Sequence, residues 1–109
     1  MSKLNLHKSV IVRAKAKPGK REELFAGLGD YMKYVREKEP ETLVYVFHAD
    51  DKDPDVFWIY EHYSSEDAMK SHQSSEAFKG LTPLMAMVEG SPVEHYVTPM
   101  VGILLGPKD

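Results

Sequence analysis

Cysteine is absent from the chain, so no disulfide staples it and no thiolate is available as a nucleophile. Long apolar runs are missing too: no stretch approaches the roughly 20 residues that a membrane-crossing helix needs. The first residues, Met1-Ser2-Lys3-Leu4-Asn5-Leu6-His7, lack the apolar centre of a secretory signal, and a soluble, cytoplasmic protein is expected. Nor is there an excess of positive charge. The formal net charge is -3, with lysines and glutamates interspersed, which gives no basic footprint for a phosphate backbone or anionic lipid. Neither nucleic acid nor membrane is expected as a partner. Glycine-rich phosphate loops do not occur, and His7, His48, His62, His72 and His95 follow no ligand spacing of helix or strand. No cofactor and no metal are expected. Aspartates do gather at Asp50, Asp51, Asp53 and Asp55, but without the central glycine and closing glutamate of a calcium loop they read as a solvated turn.

What remains is the material of one domain, 1–109, with a core over about 9–101. Ser9 to Ala16 alternates apolar with polar residues and predicts a half-buried strand that stops at Pro18-Gly19. Leu24, Leu28, Tyr31, Met32 and Val35 then recur at steps of three and four, which predicts an amphipathic helix ending before Pro40. Gly27 and Gly29 lie inside it, each weakening a helix by about 1 kcal/mol relative to alanine, and mark close packing or room for a ligand. Thr42–His48 and Val56–Tyr63 are β-branched and aromatic, and the short link between them predicts an antiparallel hairpin. Ser64, three residues before Asp67, reads as the cap of a short helix carrying Ala68 and His72. A broken helix over about 75–88, with a second start at Thr82-Pro83, precedes a last strand at Val93–Thr98. The order β-α-β-β-α-β predicts an α+β, ferredoxin-like fold, a four-stranded antiparallel sheet with helices on one face.

Strand alternation puts Phe57, Ile59, Glu61 and Tyr63 on one face and Trp58, Tyr60 and His62 on the other. Both sets are rich in large side chains, so the face away from the helices needs a cover of its own. A homodimer is predicted, with the apolar tail, 99–109, at its interface. Among groups that carry chemistry, His72 stands out, because imidazole titrates near neutrality and the short helix hangs it over the sheet. The same residue also reads as a packing or capping histidine. Glu61 lies among Ile59, Tyr60 and Tyr63, where a carboxylate has to find water, a cation or a hydrogen bond. A ligand and an interface salt bridge to Arg13 both answer that need. Trp58 and Tyr60 are candidate pocket walls or core, Tyr45 lies on the preceding strand, and Phe47, Met85 and Met87 read as core filling.

A family resemblance rests on Val10-Ile11-Val12 leading to Pro18-Gly19-Lys20, on Tyr45, Asp53-Pro54 and Phe57-x-x-Tyr60-Glu61-x-Tyr63. Glu66-x-Ala68-x-x-x-His72-x-x-Ser75-x-x-Phe78 completes it. Over roughly 10–101 the chain resembles the antibiotic-biosynthesis-monooxygenase domain family. The resemblance implies a dimeric α+β barrel and cofactor-independent oxygenation of a small, electron-rich, quinol-like aromatic. It also implies His72 as base or proton shuttle, Tyr60 as a hydrogen-bonding orienter, Glu61 as a polarising group, and Trp58 and Tyr45 as substrate-binding walls. Haem-degrading relatives use a histidine further along the second helical region, and this chain has none between Gln73 and Glu94. Isomerisation of a small enolisable carbonyl compound, and a non-catalytic dimeric binding module, are the alternative readings.

Overall fold

The computed structural model describes residues 4–103. A 3-10 turn, Leu4–Leu6, leads into β1 (Lys8–Lys15), the strand at the heart of the sheet. Its Val10, Val12 and Ala14 are buried. Gly19, at a φ of 78°, reverses the chain in a conformation that costs glycine little. Helix α1 (Arg21–Lys38) then lays Leu24, Leu28, Tyr31 and Val35 on the sheet, and Pro40 confines it to the segment before. Strands β2 (Thr42–Ala49) and β3 (Val56–Tyr63) form the expected hairpin. The aspartate turn is closed by its own side chains: one Asp50 carboxylate oxygen accepts the backbone N–H groups of Lys52 and Asp53, at 3.0 Å each.

Helix α2 (Glu66–Ser74) starts one residue later than the sequence reading placed its cap. Ser65 is the cap and accepts the Ala68 N–H at 3.0 Å, whereas the Ser64 hydroxyl donates to Glu41 Oε2 at 2.6 Å. Adjacent serines offer the same chemistry, and only the extended backbone at Ser65 decides between them. The broken helix resolves into α3 (Glu76–Lys79), capped by Ser75, and α4 (Thr82–Met85), with Pro83 in its first turn. Val88 bridges back to Ala16, and β4 (Val93–Val97) completes the sheet.

The strand order is β2-β3-β1-β4, every neighbour antiparallel, which is the ferredoxin-like arrangement the sequence predicts. Two register rows fix what the helices cover: Tyr45, Glu61, Val10 and Tyr96 form one, and Phe47, Ile59, Val12 and Glu94 the next. The opposite face carries Ile11, Arg13, Val46, Trp58, Tyr60 and His62, and no described helix packs on it. Its Val46 and Val93 are about half exposed, as are all residues of β4 to varying degrees. Of the apolar tail, Met100, Val101 and Ile103 are exposed, while Leu104 and Leu105 lie outside the described residues. No helix among the described residues is long and apolar enough to cross a membrane.

The two helix glycines separate in meaning. A methyl at Gly27 would collide with the Leu84 side chain of α4, so this glycine lets α1 and α4 approach, whereas a methyl at Gly29 meets open space. Gly29→Ala should stabilise the protein by about 0.5–1 kcal/mol through helix propensity alone. In Gly27→Ala an overpacking cost of at least about 1 kcal/mol offsets that gain. Urea unfolding of both variants checks the order; equal gains in both would show that the α1–α4 approach is slack.

Candidate active site

Between the helices and the sheet lies a cavity of about 380 Å³. Its floor is the helix-facing side of the sheet, with Val12, Phe57 and Ile59, and its roof comes from Phe78, Leu81 and Met85 around the short helices. Such a chamber, apolar with few polar groups, is the common form of a small-molecule site. Two carboxylates interrupt it, Glu61 from β3 and Glu94 from β4.

Glu61 is 7% exposed, and its Oε1 accepts a hydrogen bond from the Tyr63 hydroxyl at 2.5 Å. Removal from water disfavours the charged form. Burial therefore lifts its proton affinity from the ordinary 4.5 to about 7, with Tyr63 opposing the rise and Glu94 and Glu39 adding to it. The hydroxyls of Tyr45 and Tyr63 are held protonated well above the usual tyrosine range, first by burial and then by the Glu61 charge. Such a carboxylate can exchange a proton near neutrality beside an apolar chamber.

His72 is buried, 2% exposed, but it is not one of the cavity's lining residues. Its Nδ1 lies 2.6 Å from Glu39 Oε1, and because a carboxylate only accepts, the imidazole donates there. Its ring packs against those of Tyr45, Tyr63 and Phe78 at centroid distances of 5.3, 5.4 and 5.3 Å. The imidazole thus stands behind the aromatic wall, and Tyr45 and Phe78 meet the cavity in front of it. On its other side it borders a polar hollow with Glu41, Ser64 and Ser71.

The site residues read from the sequence divide between two faces. Glu61, Tyr45 and His72 come together on the helix side. Tyr60 and Trp58 do not join them, because alternation along β3 turns both to the uncovered face. There Tyr60 Oη lies 3.0 Å from His62 Nδ1, Ser9 Oγ lies 2.9 Å from the same nitrogen, and His62 Nε2 lies 2.9 Å from His7 Nδ1. The Trp58 indole N–H donates to Asp50 Oδ1 at 3.0 Å and so braces the hairpin turn. That hydrogen bond, with two backbone N–H groups, holds the Asp50 carboxyl well below its usual range, at about 2. Within the chain Glu61 does not pair with Arg13, which lies over the Trp58 ring, 5.7 Å from its centroid, on the opposite face. Sequence reasoning missed Glu39 and Glu94. Glu39 is 33 residues from the histidine it binds, a separation that leaves no local pattern. Glu94 did leave one, since it alternates with Val93 and His95 and so had to share a face with Tyr96.

Residues 9–81 match the family model described as antibiotic biosynthesis monooxygenase. The chain belongs to this family. A structure from Caulobacter crescentus, provisionally named an antibiotic biosynthesis monooxygenase, is 27% identical, with 90% of this chain and 93% of that one covered and a TM-score of 0.84. One from Bacteroides thetaiotaomicron with the same provisional name is 26% identical over 92% and 96% of the two chains, with a TM-score of 0.81. A third so named, from Chloroflexus aurantiacus, is 27% identical over 92% and 99%, with a TM-score of 0.76. No curated protein matches the chain. In this antibiotic biosynthesis monooxygenase family member, the cavity with Glu61 on its floor has room for a small molecule.

The sign of the Glu61 effect on stability follows from its raised proton affinity. Between 4.5 and about 7 the folded state holds a proton that the unfolded chain has lost, so stability falls as pH rises through that window. The shift corresponds to on the order of 3 kcal/mol, present below the window and lost above it. Glu61→Gln should remove this dependence. Urea unfolding of both proteins from about pH 4.5 to 8 measures it, and parallel curves would mean that Glu61 is wetter than its burial implies.

Proposed function

We propose that the chain is a monooxygenase that uses no cofactor and acts on a small, electron-rich phenol or quinol held in the 380 Å³ cavity, with Glu61 as the base. The observation that carries this reading is the single deeply buried carboxylate on the floor of an apolar chamber. Family membership supports the class of reaction. Glu61 takes the phenolic proton and leaves an electron-rich anion in a medium of low polarity. That anion passes one electron to molecular oxygen, and the resulting ring radical and superoxide join in a carbon–oxygen bond. Glu61 returns its proton to the peroxide oxygen, and cleavage of the O–O bond with loss of the ring hydrogen leaves a carbonyl on the ring and releases water. One oxygen atom enters the ring and the other leaves as water; the substrate gives up four electrons and oxygen accepts four.

In this reading His72 is a positioning residue. Held by Glu39, it fixes the rings of Tyr45 and Tyr63, and Tyr63 in turn fixes the Glu61 carboxylate. Tyr45 is a substrate-binding wall. Tyr60 and Trp58 take the uncovered face, and with Val46 and Val93 they form the seam of a homodimer in which two sheets pack face to face. Isomerisation of an enolisable carbonyl is the second reading, favoured by the same carboxylate, which can return a proton as readily as remove it. It needs no oxygen, so turnover under strict anaerobiosis separates the two.

Oxygen uptake with a panel of phenols and quinols tests the reaction. Glu61→Gln should lower kcat/KM by about 100-fold or more, the usual range for a lost general base, with a milder loss in His72→Phe. The wild-type kcat/KM should rise with pH through about 7 as the carboxyl ionises, and a flat profile would remove Glu61 from the role. For the assembly, sedimentation equilibrium should give twice the chain mass. Val46→Glu with Val93→Glu, both already half exposed in the single chain, should give the single mass with the helical and strand content intact.

A further inference from the structure

The chamber carries charge mostly of one sign. Glu61 and Glu94 reach it from strands on either side of β1, one register row apart on the same face. Glu94 is fixed by a chain of donors: the Tyr96 hydroxyl gives to Glu94 Oε2 at 3.1 Å, and Gln73 Nε2 gives to Tyr96 Oη at 3.3 Å. Tyr63 is the donor to Glu61, and no other side chain among the described residues donates to that carboxylate. Its remaining acceptor capacity faces the cavity. Among the described residues no cation is paired with either carboxylate. Lys79 is the lysine on the wall, but its ammonium lies 3.5 Å from Glu76 and its side chain is 64% exposed. Arg13 is spent on Trp58 on the far face and Arg21 on the Phe25 ring, 5.4 Å from its centroid. Arg36 borders a different hollow, beside Leu43.

From this arrangement we infer that the cavity selects by charge: it takes a non-anionic aromatic that donates a hydrogen bond to Glu61 through a hydroxyl or amino group, and it rejects carboxylate-, sulfonate- or phosphate-bearing analogues of the same shape. The inference rests on the oxygenase reading only in taking this cavity as the ligand site. An anion placed on the apolar floor meets a like charge through a medium that screens it poorly and finds no guanidinium to pair with. A hydroxyl or ammonium group in the same position supplies Glu61 with a second donor beside Tyr63. Protonation of Glu61 at lower pH weakens the repulsion.

Calorimetric titration under anaerobic conditions with 2-naphthol, 2-naphthylmethylamine and 2-naphthoate tests the rule without any turnover. At about pH 8 the naphthoate should bind at least about tenfold more weakly than the naphthol, and the gap should narrow towards about pH 5.5. Glu94→Gln, a change at an exposed residue, should reduce the gap, and Glu61→Gln with Glu94→Gln should close it. If the double variant does not fold, the pH dependence of the wild type and the Glu94→Gln result decide the matter. Naphthoate binding as tightly as naphthol at about pH 8 overturns the charge rule and leaves the oxygenase reading standing. Failure of all three to bind overturns both. Tight naphthol binding with the expected discrimination, but no oxygen uptake with any phenol, overturns the oxygenase reading and leaves the charge rule in place.

Discussion

An ionised carboxylate on the apolar side of a sheet costs several kcal/mol unless something answers its charge, and most sheets avoid the problem by leaving that position to valine or leucine. Here Glu61 sits in the middle of β3, between the apolar positions of Phe57 and Ile59 and the phenol of Tyr63. Its neighbours answer the charge only in part. One hydroxyl donates to it, the nearby carboxylates oppose ionisation, and the group keeps its proton to about 7. Around this residue the rest of the site makes physical sense. The opening beside it leaves room for a ligand, and the phenols of Tyr45 and Tyr63 keep their protons, that of Tyr63 being given to Glu61.

The ferredoxin-like order could be read directly because each element writes its own signal. Val10, Val12 and Ala14 alternate, Leu24, Leu28, Tyr31 and Val35 step by helical turns, and Pro18-Gly19 and Pro40 punctuate the ends. The division of β3 into two faces was equally visible, since a period of two needs no tertiary information. Which of those faces meets the helices could not be read, because both are rich in large side chains. The family resemblance puts Tyr60 and Trp58 with His72, and the register of β3 with β1 and β2 separates them. The helix cap failed for a smaller reason: two neighbouring serines are chemically alike, and backbone geometry alone distinguishes them.

His72 illustrates a different limit. Its position on a short helix over the sheet was legible, and the imidazole is indeed buried among aromatic rings. The sequence did not show Glu39, delivered by the far end of α1, where the cap region brings a carboxylate to 2.6 Å from the ring. A histidine so bound and packed among four aromatic rings, those of Tyr31, Tyr45, Tyr63 and Phe78, is better placed to hold the wall of a chamber than to reach into it. Its ring packs on Tyr63, and Tyr63 donates to Glu61, so the histidine and the glutamate are two ends of one packed unit, of which only the second lines the cavity.

The two faces of β3 ask different things of the same backbone. On the helix side the strand supplies an apolar floor with one carboxylate; on the other it supplies the Ser9–His62–Tyr60 cluster, closed by His7, and the aromatic rings that a second sheet would cover. The strand cannot slip by one residue to relieve strain on either side, because every side chain would then exchange faces and Glu61 would leave the cavity as Tyr60 entered it. In the proposed homodimer a second sheet over Trp58 and Tyr60 would therefore do more than hide apolar surface: it would also hold β3 in register at the residues adjacent to Glu61.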